Sequence, residues 1–482
     1  MIAAGRELSA ALLTMPTLRR VIFWTIGTAG LAIIAAGGWL AASGQGHAIW
    51  IQANERSPNE VIRYLKRRLE GHPKLEAVLL PPLHAAQRHV EREPPPGPLP
   101  TLGKGQQAQA LPPVRGLGAT LRVNTPQAIR EALLKATPGT QIVIAPGLYP
   151  FNTKLRVGQG GLADAPIALR AEQPGTVWLE FAQEEGVLVD KPHWVFENLH
   201  IRGTCQRHDD CEHAFHVVGR ARHTLIRNNH ISDFNAHIKV NGTNGDWPDH
   251  GQLAFNTLTN TGVRNTHNPV VPLDLVGASH WRVTDNLVTN FVKGSGNQVS
   301  YGLFMKGAGE GGRIERNLVV CTPAGMSQPG ARVGISFGGG TTDPQSCRVD
   351  GCQAGEHFNG LAANNVVAHC NDVGLDVNRS RDISLVHNTL INTAGIGVRH
   401  AVSTARAAGN LLEGRVMARN GAELQDRLNA ALNPTRHLMD ADRLDLRWRE
   451  PVEPVPVPEG LRTDFAGKSR AAMDAPGAVG LP

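Results

Sequence analysis

Tyrosine is nearly absent from this chain, with 3 copies in 482 residues, and 12 Phe and 8 Trp are too few rings for one large packed core. The 53 glycines and frequent asparagines suit a fold of thin, repeated layers instead. No tract of Lys and Arg interleaves with aromatics, and the net charge of +6 is scattered, which excludes nucleic acid as a partner. None of the 6 cysteines has the CxxC spacing of a structural zinc site.

One long apolar run is present. Residues 21–43, VIFWTIGTAGLAIIAAGGWLAAS, carry no charge and are long enough for a bilayer-spanning helix. Arg6, Arg19 and Arg20 precede the run, and the first charge after it is Glu55. The positive-inside rule therefore keeps residues 1–20 in the cytoplasm and exports the rest, periplasmic or extracellular, anchored in the inner membrane through the N-terminal helix. The small residues Ala41, Ala42, Ser43 and Gly44 leave a cleaved signal peptide as the alternative. Export agrees with disulfides for the pairs Cys205/Cys211 (CQRHDDC) and Cys347/Cys352 (CRVDGC). Zinc is the rival for the first pair, because His208, Asp209, Asp210 and His213 lie beside it.

Residues 44–93 read as a helical juxtamembrane region: SPNEVIRYLKRRLEG offers Ser57 as cap, Pro58 next, and Ile62, Leu65 and Leu69 on one face. Residues 94–119 are rich in Pro, Gly and Gln and predict a linker. NTPQAIREALLKA, from Asn124, predicts a capped amphipathic helix, followed by the strand QIVIA. Beyond it an Asn-plus-apolar motif recurs at Asn198, Asn229, Asn256, Asn286, Asn317, Asn365, Asn388 and Asn410, with spacings of 31, 27, 30, 31, 48, 23 and 22. That period predicts an all-β right-handed parallel β-helix over residues 120–420, one coil per repeat, with the 48-residue interval a coil carrying a long loop. Asn tolerates the left-handed backbone of a sharp bend, and stacked amides can bond into a ladder. Cys321 and Cys370, just after Asn317 and Asn365, fall on adjacent coils and either bridge or stack reduced. Residues 421–482, with GAELQDRLNAALN as a helix, are expected to cap the open end of the solenoid.

Upstream of the asparagines a second strand repeats: FHVVG, IKVNG, LDLVG, LFMKG, ISFGG, LDVNR and IGVRH. Alternation turns its first and third residues, all apolar, inward. Facing outward are His216, Lys239, Asn241, Asp274, Lys306, Ser336, Asp376, Asn378 and Arg399, with His250 and Arg332 nearby in the chain. A row of ionisable and amide groups is either an ordinary solvated strand face or a groove for a linear polymer.

The stretch TPQAIREALLKATPGTQIVIAPGLYPF…APIALRAEQPGTVWLEF…WVFENLHIRG resembles the opening of the chondroitinase B and alginate lyase family of polysaccharide lyases. The likeness covers about residues 120–202 and continues more loosely to about 412. It implies an acidic polysaccharide as partner and cleavage of uronate chains by β-elimination, with a lysine as base, an arginine one coil later, and calcium neutralising the substrate carboxylate. Strand alignment puts Lys306 at the lysine position, where outward cationic neighbours would lower its pKa. The arginine position holds Gly338, so Arg332 or Arg399 takes that role; Arg399 begins an Arg-His pair like the family's but lies three coils on. Val299 and Tyr301 occupy the positions of the acidic calcium ligands, so calcium stays an open alternative without the family's ligands, and no metal-binding residue is assigned.

Two readings follow. The first is a monomeric lyase, or a uronate epimerase sharing its proton-abstraction step, with Lys306, Arg332, Arg399 and His250 catalytic and Lys239, Asn241, Asp274, Asp376 and Asn378 on the substrate. WPDHG at 247–251 faintly resembles an epimerase motif in different order. The second is a non-catalytic, envelope-anchored module that binds or guides the polysaccharide.

Overall fold

The computed structural model describes residues 113–481 apart from 324–325, 327–329, 340–341 and 430–433, together with 62, 65, 66, 69, 72–90 and 98–104. The expected cytoplasmic tail and membrane anchor, 1–20 and 21–43, lie outside the described residues. Among the described residues no helix is long and apolar enough to cross a membrane.

The repeat folds as a parallel β-helix. Each coil contributes one strand to each of three parallel sheets, here A, B and C. One coil, for example, runs Leu225–Arg227 in sheet A, His230–Ser232 in B and Ala236–Asn241 in C. Sheet A has 12 strands, from Thr120–Val123 to Glu423–Arg427; B and C have 10 each. At the first coil, the helix Pro126–Lys135 buries Ile129, Ala132 and Leu133 against the core, and Thr125 Oγ1 caps it by accepting from the Ala128 N–H at 3.1 Å. The predicted helix and strand there are both found.

Register explains the core. In sheet C, Phe215, Ile238, Leu273, Leu303, Ile335, Leu375 and Ile396 stack in one row and are at most 1% exposed. Each such buried side chain is worth roughly 1.5–3 kcal/mol relative to exposure.

The asparagine ladder is real but shifted. Asn229, Asn256, Asn286, Asn317, Asn365, Asn388 and Asn410 each donate through Nδ2 to Oδ1 of the next at 2.7–3.0 Å, and the last acceptor is Asn429. Each ladder Oδ1 also accepts the backbone N–H of its predecessor's coil, so both ends of the buried amide are satisfied. The left-handed bend is made one residue earlier, at Asn228, Phe255, Asp285, Arg316, Asn364 and His387. Asn198 belongs to that bend row, at φ 65, and Leu199 takes the first rung.

Two boundaries differ from expectation. Residues 423–427, expected as helix, are a strand paired with Thr404–Ala408, because the open sheet edge offers backbone partners that override helix propensity. The tail after it does not sit as a plug on the end of the solenoid. Leu438, Ala441, Leu444, Trp448, Phe465 and Ala478 pack on the outer face of sheet B over Leu287, Leu318, Val366 and Ile391. The expected linker is also partly bound there: Gly103 N–H donates to Thr257 Oγ1, and buried Lys104 pairs with Asp285 at 2.8 Å. In the helical region before it, a helix over Pro73–Val90 is present; Ile62 and Leu69 are buried while Leu65, expected on the same face, is 43% exposed.

All six cysteines are paired, Cys205–Cys211, Cys321–Cys370 and Cys347–Cys352, which suggests an exported or otherwise oxidising environment. The zinc alternative for the first pair falls away, since its thiols are bonded to each other.

Candidate functional site

The outer face of sheet C carries two rows. His216, Lys239, Asp274, Phe304, Ser336 and Asp376 form the first. Asn241, Val276 and Lys306 form the second, resumed by Asn378, Arg399 and Arg419. Alternation thus aims the side chains as the sequence predicts, but cross-coil contacts decide what each group can do.

Asp274 is the hub of the first cluster. Lys239 Nζ lies 2.5 Å from its Oδ2 and Lys306 Nζ 3.8 Å from its Oδ1. Burial alone would raise its pKa; the two ammonium groups more than reverse this and hold it at about 2. The cationic flank expected around Lys306 is therefore an anion shared with Lys239. Beside them His216 bridges Glu185 (2.7 Å) and Asn241 Oδ1 (2.8 Å), and that bond to His216 holds Glu185 at about 2.

Above this floor is a cavity of about 450 Å³. Lys239, Asn241, Val276 and Lys306 form its base; the loop 242–247 with Trp247 and the loop 342–346 form its sides. Its lining is amide, hydroxyl, ammonium, one indole and the Asp343 carboxylate, a polar set that suits a sugar ring rather than an apolar ligand.

A second ionic cluster is centred on Asp376, three coils beyond Asp274. Arg399 grips Asp376 through Nε–Oδ1 at 3.0 Å and Nη2–Oδ2 at 2.6 Å, and Ser336 Oγ is 3.3 Å from Asp376 Oδ2. The carboxylate drives the Arg399 pKa further up, so its charge is permanent. Between the clusters stands an aromatic partition. Tyr301 stacks on Phe304 at 4.4 Å, and Lys306 Nζ sits 4.6 Å over the Phe304 ring. Burial pushes the Tyr301 phenol up to about 12.

The other expected residues are elsewhere. Arg332 is 1% exposed and donates from Nη2 to the Met326 carbonyl at 2.7 Å. The simple alternation fails there because neighbouring Gly302 and Leu303 both face the interior, as do Gly334 and Ile335 in the next coil. His250 belongs to an imidazole stack, His193–His223–His250–His280, with centroids 4.7–5.1 Å apart on the left-handed turns before sheet A. Asn378 is 6% exposed, and its Oδ1 has no hydrogen-bond partner among the described residues.

Calcium does not fit this donor set. The one carboxylate on the floor of the Lys306 cluster, Asp274, is flanked by two ammonium groups, and the ring of Tyr301 is stacked on Phe304. A divalent cation would meet both lysines at contact range.

Sequence reading missed Glu185, Trp247, Phe304 and Arg348 as members of the site. Three of them carried a signal: Arg348 stands inside CRVDGC in the longest interval of the repeat, Trp247 opens WPDHG, and Phe304 holds an outward position of LFMKG.

Comparison with known proteins agrees with this architecture. Residues 123–337 match the chondroitinase B family. Among solved structures, pectate lyase Pel9A has a TM-score of 0.51 at 12% identity, over 76% of this chain and 98% of that one. An alginate lyase from Paenibacillus sp. str. FPU-7 gives 0.45 at 15%, over 65% and 99%. The A-module of mannuronan C-5 epimerase AlgE4 from Azotobacter vinelandii gives 0.42 at 11%, over 65% and 78%. No curated protein matches the chain. The chain is thus similar to the chondroitinase B family over residues 123–337 and shares the fold of pectate lyase Pel9A.

Proposed function

We propose that the chain is a carbohydrate-active protein that takes an acidic, uronate-type polysaccharide along sheet C. The observation that carries this reading is the Lys239–Asp274–Lys306 cluster on the floor of a polar cavity, two ammonium groups sharing one carboxylate. The cluster keeps one net positive charge, which a substrate carboxylate would neutralise while Asn241 and the Trp247 wall contact the ring. In β-elimination the carbon acid next to that carboxylate loses its proton to a base, its electron pair forms the ring double bond, and the glycosidic oxygen leaves and takes up a proton. Lys306 is the group for the first step and Lys239 for the carboxylate. Arg399, committed to Asp376 beyond the aromatic partition, would contact the polymer farther along. An epimerase would use the same first step and return the proton on the opposite face. The compartment in this reading is periplasmic or extracellular, with residues 21–43 as inner-membrane anchor.

A second reading is favoured by one observation. Lys306 and Lys239 are both in ion-pair range of Asp274, an arrangement suited to holding a carboxylate group of a polymer rather than to removing a proton. On that basis the chain is a non-catalytic, membrane-tethered module that holds or guides the polymer.

The deciding experiment incubates the purified chain with alginate, pectate and glycosaminoglycans and follows the ultraviolet absorbance of unsaturated product, with binding measured in parallel. Absorbance that vanishes in Lys306→Ala supports the lyase. Binding without product, with or without added metal, sinks it and leaves the module; no binding to any acidic polymer sinks both.

A further inference from the structure

The loop segment 342–356, which follows the sheet C strand Ala331–Phe337 in the chain, does not stay on its own coil. It reaches back over the turns of the three preceding coils, at Gly307, at Gly277 and Ser279, and at Trp247 and Asp249, and is fastened at three points. Arg348 makes a two-toothed bond to Asp249, Nη1–Oδ1 at 2.7 Å and Nη2–Oδ2 at 3.0 Å, across 99 residues of sequence. The same Nη1 donates to the Gly277 carbonyl (3.2 Å) and Ser279 Oγ (3.1 Å), and the guanidinium lies 5.6 Å over the Trp247 ring. Behind it the Arg348 N–H donates to the Gly307 carbonyl at 2.9 Å. Glu356, 2% exposed, accepts from the Gly307 N–H (3.2 Å) and Thr342 Oγ1 (2.6 Å). The Cys347–Cys352 bridge closes the short ring that displays Arg348.

These bonds have two consequences. Gly307 follows Lys306 directly, so both its backbone groups are tied to the loop, and the loop fixes the end of the strand that carries Lys306. Thr342, Asp343, Gln345 and Ser346 form one side of the cavity whose other side is 242–247, so Arg348 holds the two sides together through Trp247 and Asp249. Without the side-chain latch, the side formed by 342–346 keeps the Glu356 tether and the backbone bond from Arg348 N–H to the Gly307 carbonyl.

We propose that Arg348 is a positioning residue: its bond to Asp249 holds the disulfide-closed loop as the second wall of the sugar cavity and sets Lys306 against the floor. The proposal rests on the polysaccharide reading above, and it assigns Arg348, Asp249 and Glu356 a role in affinity without contact with the reacting atoms. A guanidinium is needed because an ammonium cannot grip both carboxylate oxygens, reach two further acceptors and stack on an indole at once.

The test uses the full chain and the variants Arg348→Ala, Arg348→Lys and Asp249→Asn. Amide hydrogen exchange without ligand should show loss of protection confined to 342–352, alike in all three. Titration with whichever acidic polymer binds wild type best should show about a ten- to hundredfold weaker Kd, with Arg348→Lys no better than Arg348→Ala. Arg115→Ala, far from the loop in sequence, is the control and should change neither readout. Unchanged exchange in Arg348→Ala overturns the latch. Freed exchange with wild-type Kd overturns the positioning role. If wild type binds no acidic polymer, the polysaccharide reading fails and takes the positioning role with it, while exchange still decides the latch. Should Arg348→Ala not fold, Asp249→Asn, which keeps shape and volume, distinguishes the same outcomes.

Discussion

Replacing Asp274 with Asn tests whether the floor cluster is an ionic device or a packed polar patch. The carboxyl is 3% exposed and, in the folded chain, titrates at about 2 against an ordinary 3.8. A group with depressed folded pKa contributes stability that is fully present above its unfolded value and is lost as pH falls through the folded one. A depression of roughly two units at ~1.4 kcal/mol each corresponds to about 2–3 kcal/mol. Breaking a fully buried pair costs more, about 3–5 kcal/mol, but the side chains of Lys239 and Lys306 stay 22% and 20% exposed, so the lower figure applies. Asp274→Asn should therefore lower unfolding stability in urea by about 2 kcal/mol near pH 7, and most of that gap should close between about pH 4 and pH 2. The variant also leaves Lys239 and Lys306 without their shared counter-ion, so binding of an acidic polymer should tighten and become more sensitive to salt. A stability gap that stays constant across that pH range would refute the ionic account, and unchanged salt dependence would show that the lysines do not face the polymer.

Three further outcomes follow from the scaffold. Asn286→Ala removes one rung and strands the backbone N–H of Asn256, while Asn256 Nδ2 keeps the Ile226 and Ala254 carbonyls; chemical denaturation should show a loss of about 1–3 kcal/mol, and a loss under about 0.5 would mean that the ladder contributes little. Cys321→Ser with Cys370→Ser opens a loop of 49 residues, worth about 4 kcal/mol, whereas opening Cys205–Cys211 should cost only about 2, a contrast that melting under matched conditions reads directly. Lys104→Met breaks the buried contact with Asp285 and should make the chain near residue 104 a site of early proteolysis, leaving the sheet C face and its polymer binding intact.

The fold was legible because its signal is periodic and short-range in character. Alternation along the sheet C strands depends only on the pleat, so Phe215 through Ile396 could be assigned to the interior from sequence. The recurring asparagine marked the coils for the same reason: a stacked amide ladder requires the same residue at each step. What could not be read was the phase of the bend. Both an Asn in the left-handed conformation and an Asn in a ladder look alike in sequence, and Asn198 and Asn229 illustrate the two cases. Residues 423–427 and the chain after 434 were misjudged for a different reason. Their local pattern is weakly helical or formless, and an open sheet edge and an apolar outer face on sheet B decided where they went.

The site was legible only as a set of outward residues, because its chemistry is set by which of them touch across coils. Lys306 and Asp274 are 32 positions apart in sequence and on different rows, yet their side chains meet; Lys306 and Arg399 share a row and are separated by Tyr301 and Phe304. A row alignment thus overrates neighbours along the helix axis and underrates diagonal ones. The same limit explains Arg348. Its partners are set by a loop that abandons its own coil, and no period places such a loop. If the Lys239–Asp274–Lys306 cluster is the working centre, specificity in this chain resides in the two loops over it, which the repeat does not constrain, while the floor beneath them is held to within the tolerance of a stacked sheet.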